Sequence, residues 1–150
     1  MWVARSDKRS AKTYKGRLAM ADEQRTLEEL EGVDWGAPAS APTSLVARCL
    51  ALRRVPLSTL GPGDLRLLLG QQIGLEFLVP KALELVAERP LQEADLYPGD
   101  LLSVLLRVDK AFWQNHPTEL QWLLSILRLT IERYGTIVES CENFLASHEH

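Results

Sequence analysis

Between residues 52 and 106 the chain is dense in leucine, and its prolines fall at points where helices would begin. Pro62, Pro80 and Pro98 each precede an apolar run, where a missing N–H and a fixed φ suit the first helical turn. After Gly61-Pro62-Gly63-Asp64, Leu65, Leu68 and Leu69 share a face, and Gly70 and Gly74 bracket the exit. The next helix is expected to begin near Pro80, with Leu83, Val86 and Ala87 on one side, and to end at Arg89-Pro90. Pro98-Gly99-Asp100-Leu101 then repeats Pro62-Gly63-Asp64-Leu65 after 36 positions. That echo predicts two similar helical hairpins, the second completed by a helix opening at Pro117. Leu120, Leu123, Leu124, Leu127, Ile131 and Tyr134 follow the 3–4 spacing of one buried stripe. Gly135 suits the position that closes a helix, and Ile137, Val138, Cys141 and Leu145 suggest one more beyond it.

On the N-terminal side, Leu27 and Leu30 within LEELEG predict a single helical turn that Gly32 stops. VDWGAPASAPT follows, with Pro38, Pro42 and small residues that favour an extended strap. Trp35 in that strap is expected to anchor it by burial, the alternative being an exposed aromatic for a partner. Thr43 or Ser44 can cap a helix carrying Leu45, Val46, Cys49, Leu50 and Leu52, and Pro56 ends it. KAFWQNH adds a short helical or turn segment with Phe112 and Trp113. No alternating run supports a strand. The expected fold is all-α: one compact domain of about five to seven short-to-medium helices, with an extended N-terminal strap.

Composition narrows the classes. A chain of 150 residues suffices for one domain with a real core and is short for two. Hydrophobic residues at 46% and charged residues at 25% are ordinary for a globular protein, and no apolar run reaches a membrane span. Cys49 and Cys141 fit no metal or redox spacing and are expected to be buried reduced thiols of a cytoplasmic protein. The net charge of −3 conceals an asymmetry. Arg5, Lys8, Arg9, Lys12, Lys15 and Arg17 stand against Asp7 alone, which leaves the remainder at −8. Residues 1–19 are therefore assigned to a flexible basic arm and residues 20–150 to the domain, with Met20 as its natural start. The competing reading of the arm is a nucleic-acid-binding tail.

Candidate chemistry is sparse. His116 precedes a proline, and His148 and His150 lie in a polar tail, so no metal-ligand spacing exists. No phosphate-binding loop, dinucleotide fingerprint or nucleophile elbow occurs, and no cofactor is implied. Glu93, Asp95 and Asp100 surround Tyr97 in QEADLYPGD. Asp100 suits a helix start, as Asp64 does. A paired-carboxylate hydrolase is conceivable from this cluster, but nothing else supports a substrate cleft. An acidic surface with an aromatic anchor for a basic partner fits better, and Glu28, Glu31, Asp34 and Trp35 extend it.

The segments DWG, LRRVPL, DLRLLLGQQIGLEFLVPKAL, ERPL, EADLYPGDLL and FWQNHP, in this order, cover about residues 27–117. Together they resemble the helical immunity proteins of bacterial contact-dependent growth inhibition (CDI) systems. The densest motifs are LRLLLGQQIGLEFLVP and YPGDLL; Ala94 stands where a glycine is expected before the loop acid. The resemblance implies a non-enzymatic inhibitor that binds a cognate CdiA C-terminal toxin, typically a nuclease, in the cytoplasm. It identifies the scaffold and not the contact residues. A helical adaptor or regulatory subunit for another basic partner would share the acidic, catalytically bare sequence. A DNA-binding antitoxin fits less well, because the body at −8 lacks a basic face.

Overall fold

The computed structural model describes residues 22–148. The basic arm at residues 1–19 and the proposed start at Met20 lie outside them. Seven α-helices follow in order among the described residues: α1 (Leu27–Glu31), α2 (Ser44–Leu52), α3 (Pro62–Gly70), α4 (Leu75–Glu88), α5 (Asp100–Leu105), α6 (Lys110–Asn115) and α7 (Pro117–His148). Short 3-10 turns occupy Pro38–Ser40 and Leu57–Thr59. No strand forms among the described residues, only isolated bridges at Thr26–Pro56 and Glu93–Pro98. The architecture is all-α, as the periodicity predicts.

The leucine-rich stretch forms the centre. Leu65, Leu68 and Leu69 of α3 meet Leu78, Val79, Ala82 and Leu83 of α4 and Leu101 and Leu105 of α5, all fully buried or nearly so. Each such leucine or valine contributes about 1.5–3 kcal/mol by leaving water. Helix α3 packs on α4 and α5, while α7 lies across α4 and α6. Local chemistry sets the starts. Thr43 Oγ1 accepts the Val46 N–H at 3.2 Å to cap α2. Asp64 Oδ2 accepts the Gly61 N–H at 3.0 Å at the start of α3, with Pro62 as its first residue. Thr26 and Glu29 exchange hydrogen bonds as a capping box on α1, and Gly32 closes it at φ 69°.

The segment before α1 is tied down by backbone. Leu57 donates to Arg25 at 3.0 Å and Ser58 to Glu23 at 2.8 Å, while Lys81 of α4 binds the Glu23 carboxylate at 2.9 Å. This drives Leu27 fully into the core against Gly74. A Cβ at Gly74 would stand 2.8 and 2.9 Å from the Leu27 methyls, and its φ of +65° is itself glycine territory.

Several expectations change here. The helix placed at Pro80 begins earlier, at Leu75, and Pro80 lies inside α4. Gly74 in the left-handed conformation already turns the chain there. Burial of Leu78 and Val79 on the same stripe offsets the backbone bond that proline cannot donate. Pro98 precedes its helix by two residues, because Gly99 at φ +82° is the N-cap of α5. The Pro-Gly-Asp-Leu echo therefore falls in different registers: Asp64 is third in its helix and Asp100 is first. Helices α3 and α4 form one hairpin, whereas the later unit is divided into α5, α6 and α7. Gly135 does not end a helix, and α7 runs 32 residues through it. The stripe of α7 is buried at Leu123 and Ile126 but leaves the body beyond Leu127, with Ile131 70% exposed. Cys49 is buried, with burial pushing its thiol pKa up, but Cys141 is exposed on the projecting part of α7. Leu45 and Val46 are exposed on α2.

One close fit had no sequence signal. Gln72 has φ 58°, the only positive value at a non-glycine residue among those described. Its Oε1 accepts the Asp109 N–H at 3.0 Å and its Nε2 donates to the Arg107 carbonyl at 3.3 Å. Those two bonds fasten the turn after α3 to the turn after α5 and compensate the strained backbone.

Candidate functional site

The nominated acidic residues fall into two groups, each built around arginines. In the first, Arg54 Nε donates to Glu28 Oε2 at 3.0 Å and Arg54 Nη2 to Asp34 Oδ1 at 3.2 Å. Arg53 Nη2 donates to Glu31 Oε1 at 3.2 Å and to the Val33 carbonyl at 3.1 Å. Asp34 is held below its usual pKa by the Gly36 N–H, at 2.7 Å from Oδ1, and by Arg54. Trp35 is not buried as an anchor. It is 47% exposed and covers Arg53, whose guanidinium carbon lies 4.0 Å from the ring centroid. Glu28 and Glu31 thus hold α1, and Asp34 holds the strap, to the two arginines that follow α2, and their charge is largely matched on the spot.

The second group is the connection between α4 and α5. Asp100 is 1% exposed and looks back into this loop. Its Oδ1 accepts the Ala94 N–H at 2.7 Å, and Oδ2 accepts those of Asp95 at 2.9 Å and Leu96 at 2.8 Å. Burial pushes the carboxyl pKa up, but the N–H groups of Leu96, Ala94, Asp95 and Tyr97 outweigh it and hold the pKa below the ordinary value. Ala94 meets this need with its N–H and without a positive φ, so no glycine is required there. Arg66 of α3 adds a bond from Nη2 to Asp95 Oδ2 at 3.0 Å and places Nε 3.9 Å from Asp100 Oδ2.

A buried acid therefore clamps the loop from inside, and its outer surface carries Leu96, 61% exposed, and Tyr97, 45% exposed. The Tyr97 hydroxyl donates to Ser103 Oγ at 3.3 Å, and Gly99 donates to the Gln92 carbonyl at 3.1 Å. Glu93 is exposed and makes no ion pair among the described residues. The loop thus presents an apolar and aromatic tip beside the Glu93 carboxylate and that of Asp95, which is paired with Arg66. Asp100 itself is inaccessible and belongs to the framework. Leu96 escaped sequence reasoning because one leucine in a leucine-rich chain carries no mark of exposure.

Catalytic features do not converge. Among the described residues no three His, Cys, Asp or Glu side chains gather to hold a metal. His116 stacks on Phe112 at 4.0 Å, and its Nδ1 lies 2.8 Å from the Phe112 carbonyl, closing α6. Asp95 of the loop and Asp100 at the start of α5 share Arg66 instead of facing a cleft. No helix among the described residues is long and apolar enough to cross a membrane.

The comparisons with known proteins agree with this picture. No curated protein and no solved structure gives a significant match. The family model described as CDI immunity proteins matches residues 29–123, which span the strap, most of the helical core, the α4–α5 loop with Arg66, and the first arginine-centred group apart from Glu28. Proteins of this family are non-enzymatic toxin inhibitors. The match covers more than half of the chain and favours the immunity reading over that of a general helical adaptor. The chain belongs to the family of contact-dependent growth inhibition immunity proteins.

Proposed function

We propose that this protein binds the C-terminal toxin domain of its cognate CdiA in the cytoplasm and neutralises it, with the α4–α5 loop as part of the contact. The family match carries the reading, because inhibition by binding is what such proteins do. Two features support the loop. Leu96 and Tyr97 are exposed on a backbone already fixed by Asp100, so little ordering entropy remains to be lost on binding. Glu93 and Asp95 supply a negative rim, which suits a basic toxin of the nuclease class and agrees with the charge of −8 beyond the basic arm.

Titration of purified toxin domain into the immunity protein tests this. Tyr97→Ala and Glu93→Lys should each weaken binding, Tyr97→Ala by about tenfold or more as a buried aromatic anchor would. The Glu93→Lys loss should shrink in high salt, since screening removes long-range attraction. Glu93 is a cleaner probe than Asp95, where a lysine would face Arg66 and disturb the loop. Unchanged affinity in both variants, with native melting curves, would remove the loop from the interface.

A further inference from the structure

Beyond Leu127, α7 leaves the body and continues for about 30 Å at 1.5 Å per residue. This segment is far from polar. Leu127, Ile131, Tyr134, Val138, Cys141 and Leu145 recur at alternating spacings of four and three, which aligns them on one face. With Leu124 before them they fill the a and d positions of three successive heptads, the length at which such a seam specifies a coiled coil. Ile137 and Phe144 flank the seam, and Ile131, Val138 and Leu145 are all exposed. An open apolar concavity lined by Ile137, Cys141, Phe144 and Leu145 lies along it.

The charges beside the seam indicate what covers it. Arg128 and Glu142 flank it on one side, 14 residues apart, with Gly135 midway between them. In an antiparallel pair of these helices, residues on equivalent flanks meet across a two-fold axis. Arg128 then meets Glu142 of the second copy, and Glu142 meets its Arg128, so one register forms the pair twice. The same register stacks Leu127 on Leu145, Ile131 on Cys141 and Tyr134 on Val138 of the second copy. On the other flank Ile137 meets its own counterpart and Thr130 meets Phe144. A parallel pair would set Ile137 beside Glu142 and form no opposite-charge contact.

We infer that residues 127–145 of α7 are a self-association surface, on which a second copy of this chain docks as an antiparallel coiled coil. The match of Arg128 with Glu142 and the placement of apolar residues on both sides of the axis are properties of the helix with itself. The α4–α5 loop lies outside this surface, which leaves toxin capture and dimerisation to different parts of the chain.

Sedimentation of the full chain over a micromolar concentration series should show a monomer–dimer equilibrium. Val138→Glu should shift it to monomer at every concentration while keeping the helical spectrum, since Val138 lies outside the core. Arg128→Glu or Glu142→Arg alone should weaken the dimer about tenfold through like-charge contacts, and the two together should restore it. Under oxidation, Ile131→Cys should give a disulfide-linked dimer through Cys141 of the second copy. Wild type should not cross-link, because its two Cys141 residues lie about 15 Å apart in this register. A monomer throughout the series would overturn the inference, as would efficient Cys141–Cys141 cross-linking, the mark of a parallel pair. A monomeric chain that loses its toxin on Val138→Glu would assign the face to the toxin and equally overturn it.

Discussion

The guanidinium carbon of Arg53 sits 4.0 Å from the centroid of the Trp35 ring, and the arginine beneath is 1% exposed. Its Nη2 is satisfied by Glu31 and Val33, but Nε and Nη1 have no hydrogen-bond acceptor among the described residues. The indole face is what compensates those two buried donors, through the attraction of a cation to a π cloud. A strap residue thus stabilises a cation at the C-terminal cap of α2, and the strap is held in return.

That arrangement predicts a stability role for Trp35 that is separate from any toxin contact. Trp35→Ala should remove about 1 kcal/mol and lower the Tm by roughly 2–4 °C for a chain of this size. Trp35→Phe should recover most of the loss. A Tm unchanged in Trp35→Ala would show that Arg53 is stabilised without the ring.

Asp100→Asn should be far more damaging than a helix-dipole effect of roughly 0.3–1 kcal/mol would be. The amide places a donor where two backbone N–H groups now meet one carboxylate oxygen. A loss of about 2 kcal/mol is expected, seen as a Tm lower by roughly 4–8 °C. A drop of only a degree would mean that the loop holds itself without the acid.

The same residue predicts an acid dependence. Its folded-state pKa lies below the ordinary 3.8, so between the two values the unfolded chain binds more protons. The stability Asp100 contributes is therefore complete above about pH 4 to 5 and lost as pH falls through the lowered value. Thermal melts from pH 6 to pH 2.5 should show the gap between wild type and Asp100→Asn closing at the acid end. A constant gap would contradict the assignment. Asp34, also lowered, acts in the same direction in both proteins.

Two glycines of the helical body should respond oppositely to alanine. Gly74→Ala forces a side chain against Leu27 in a left-handed backbone and should cost about 1–3 kcal/mol. Gly135 lies within a regular helix with open space around it, so Gly135→Ala should add about 0.5–1 kcal/mol. Chemical denaturation of both variants checks the pair, and equal losses would show that neither glycine is placed as described.

Helix existence was legible from the spacing of leucines, and so were the stops at Gly32 and Arg89-Pro90, because these depend on neighbours along the chain. Helix α2, expected to run to Pro56, ends at Leu52. Boundaries that depend on distant contacts were not legible. Pro80 lies inside a helix because Leu78 and Val79 are buried, and Gly135 is passed over because no feature after it halts the turn. Trp35 looked like a hydrophobic anchor because its partner, Arg53, lies 18 positions away and charged residues are rarely expected inside. For the loop, the acids were legible, and so was the place of Asp100 at a helix start with Asp95 outside it. The inward turn of Asp100 was not, because only the fold brings the N–H groups of Ala94, Asp95 and Leu96 onto its carboxylate.

That inward turn has a consequence for how such a protein diverges. The grip on the loop comes from a carboxylate behind it and from backbone N–H groups, which every residue except proline possesses. Substitutions at Glu93 and Leu96 leave those bonds in place, and at Tyr97 only the hydroxyl bond to Ser103 is given up. A lineage can therefore rewrite the tip in single steps, each folded, while its rival changes. Randomising Glu93, Leu96 and Tyr97 with Asp100 intact should yield mostly folded proteins, and the same library on Asp100→Asn mostly unstable ones.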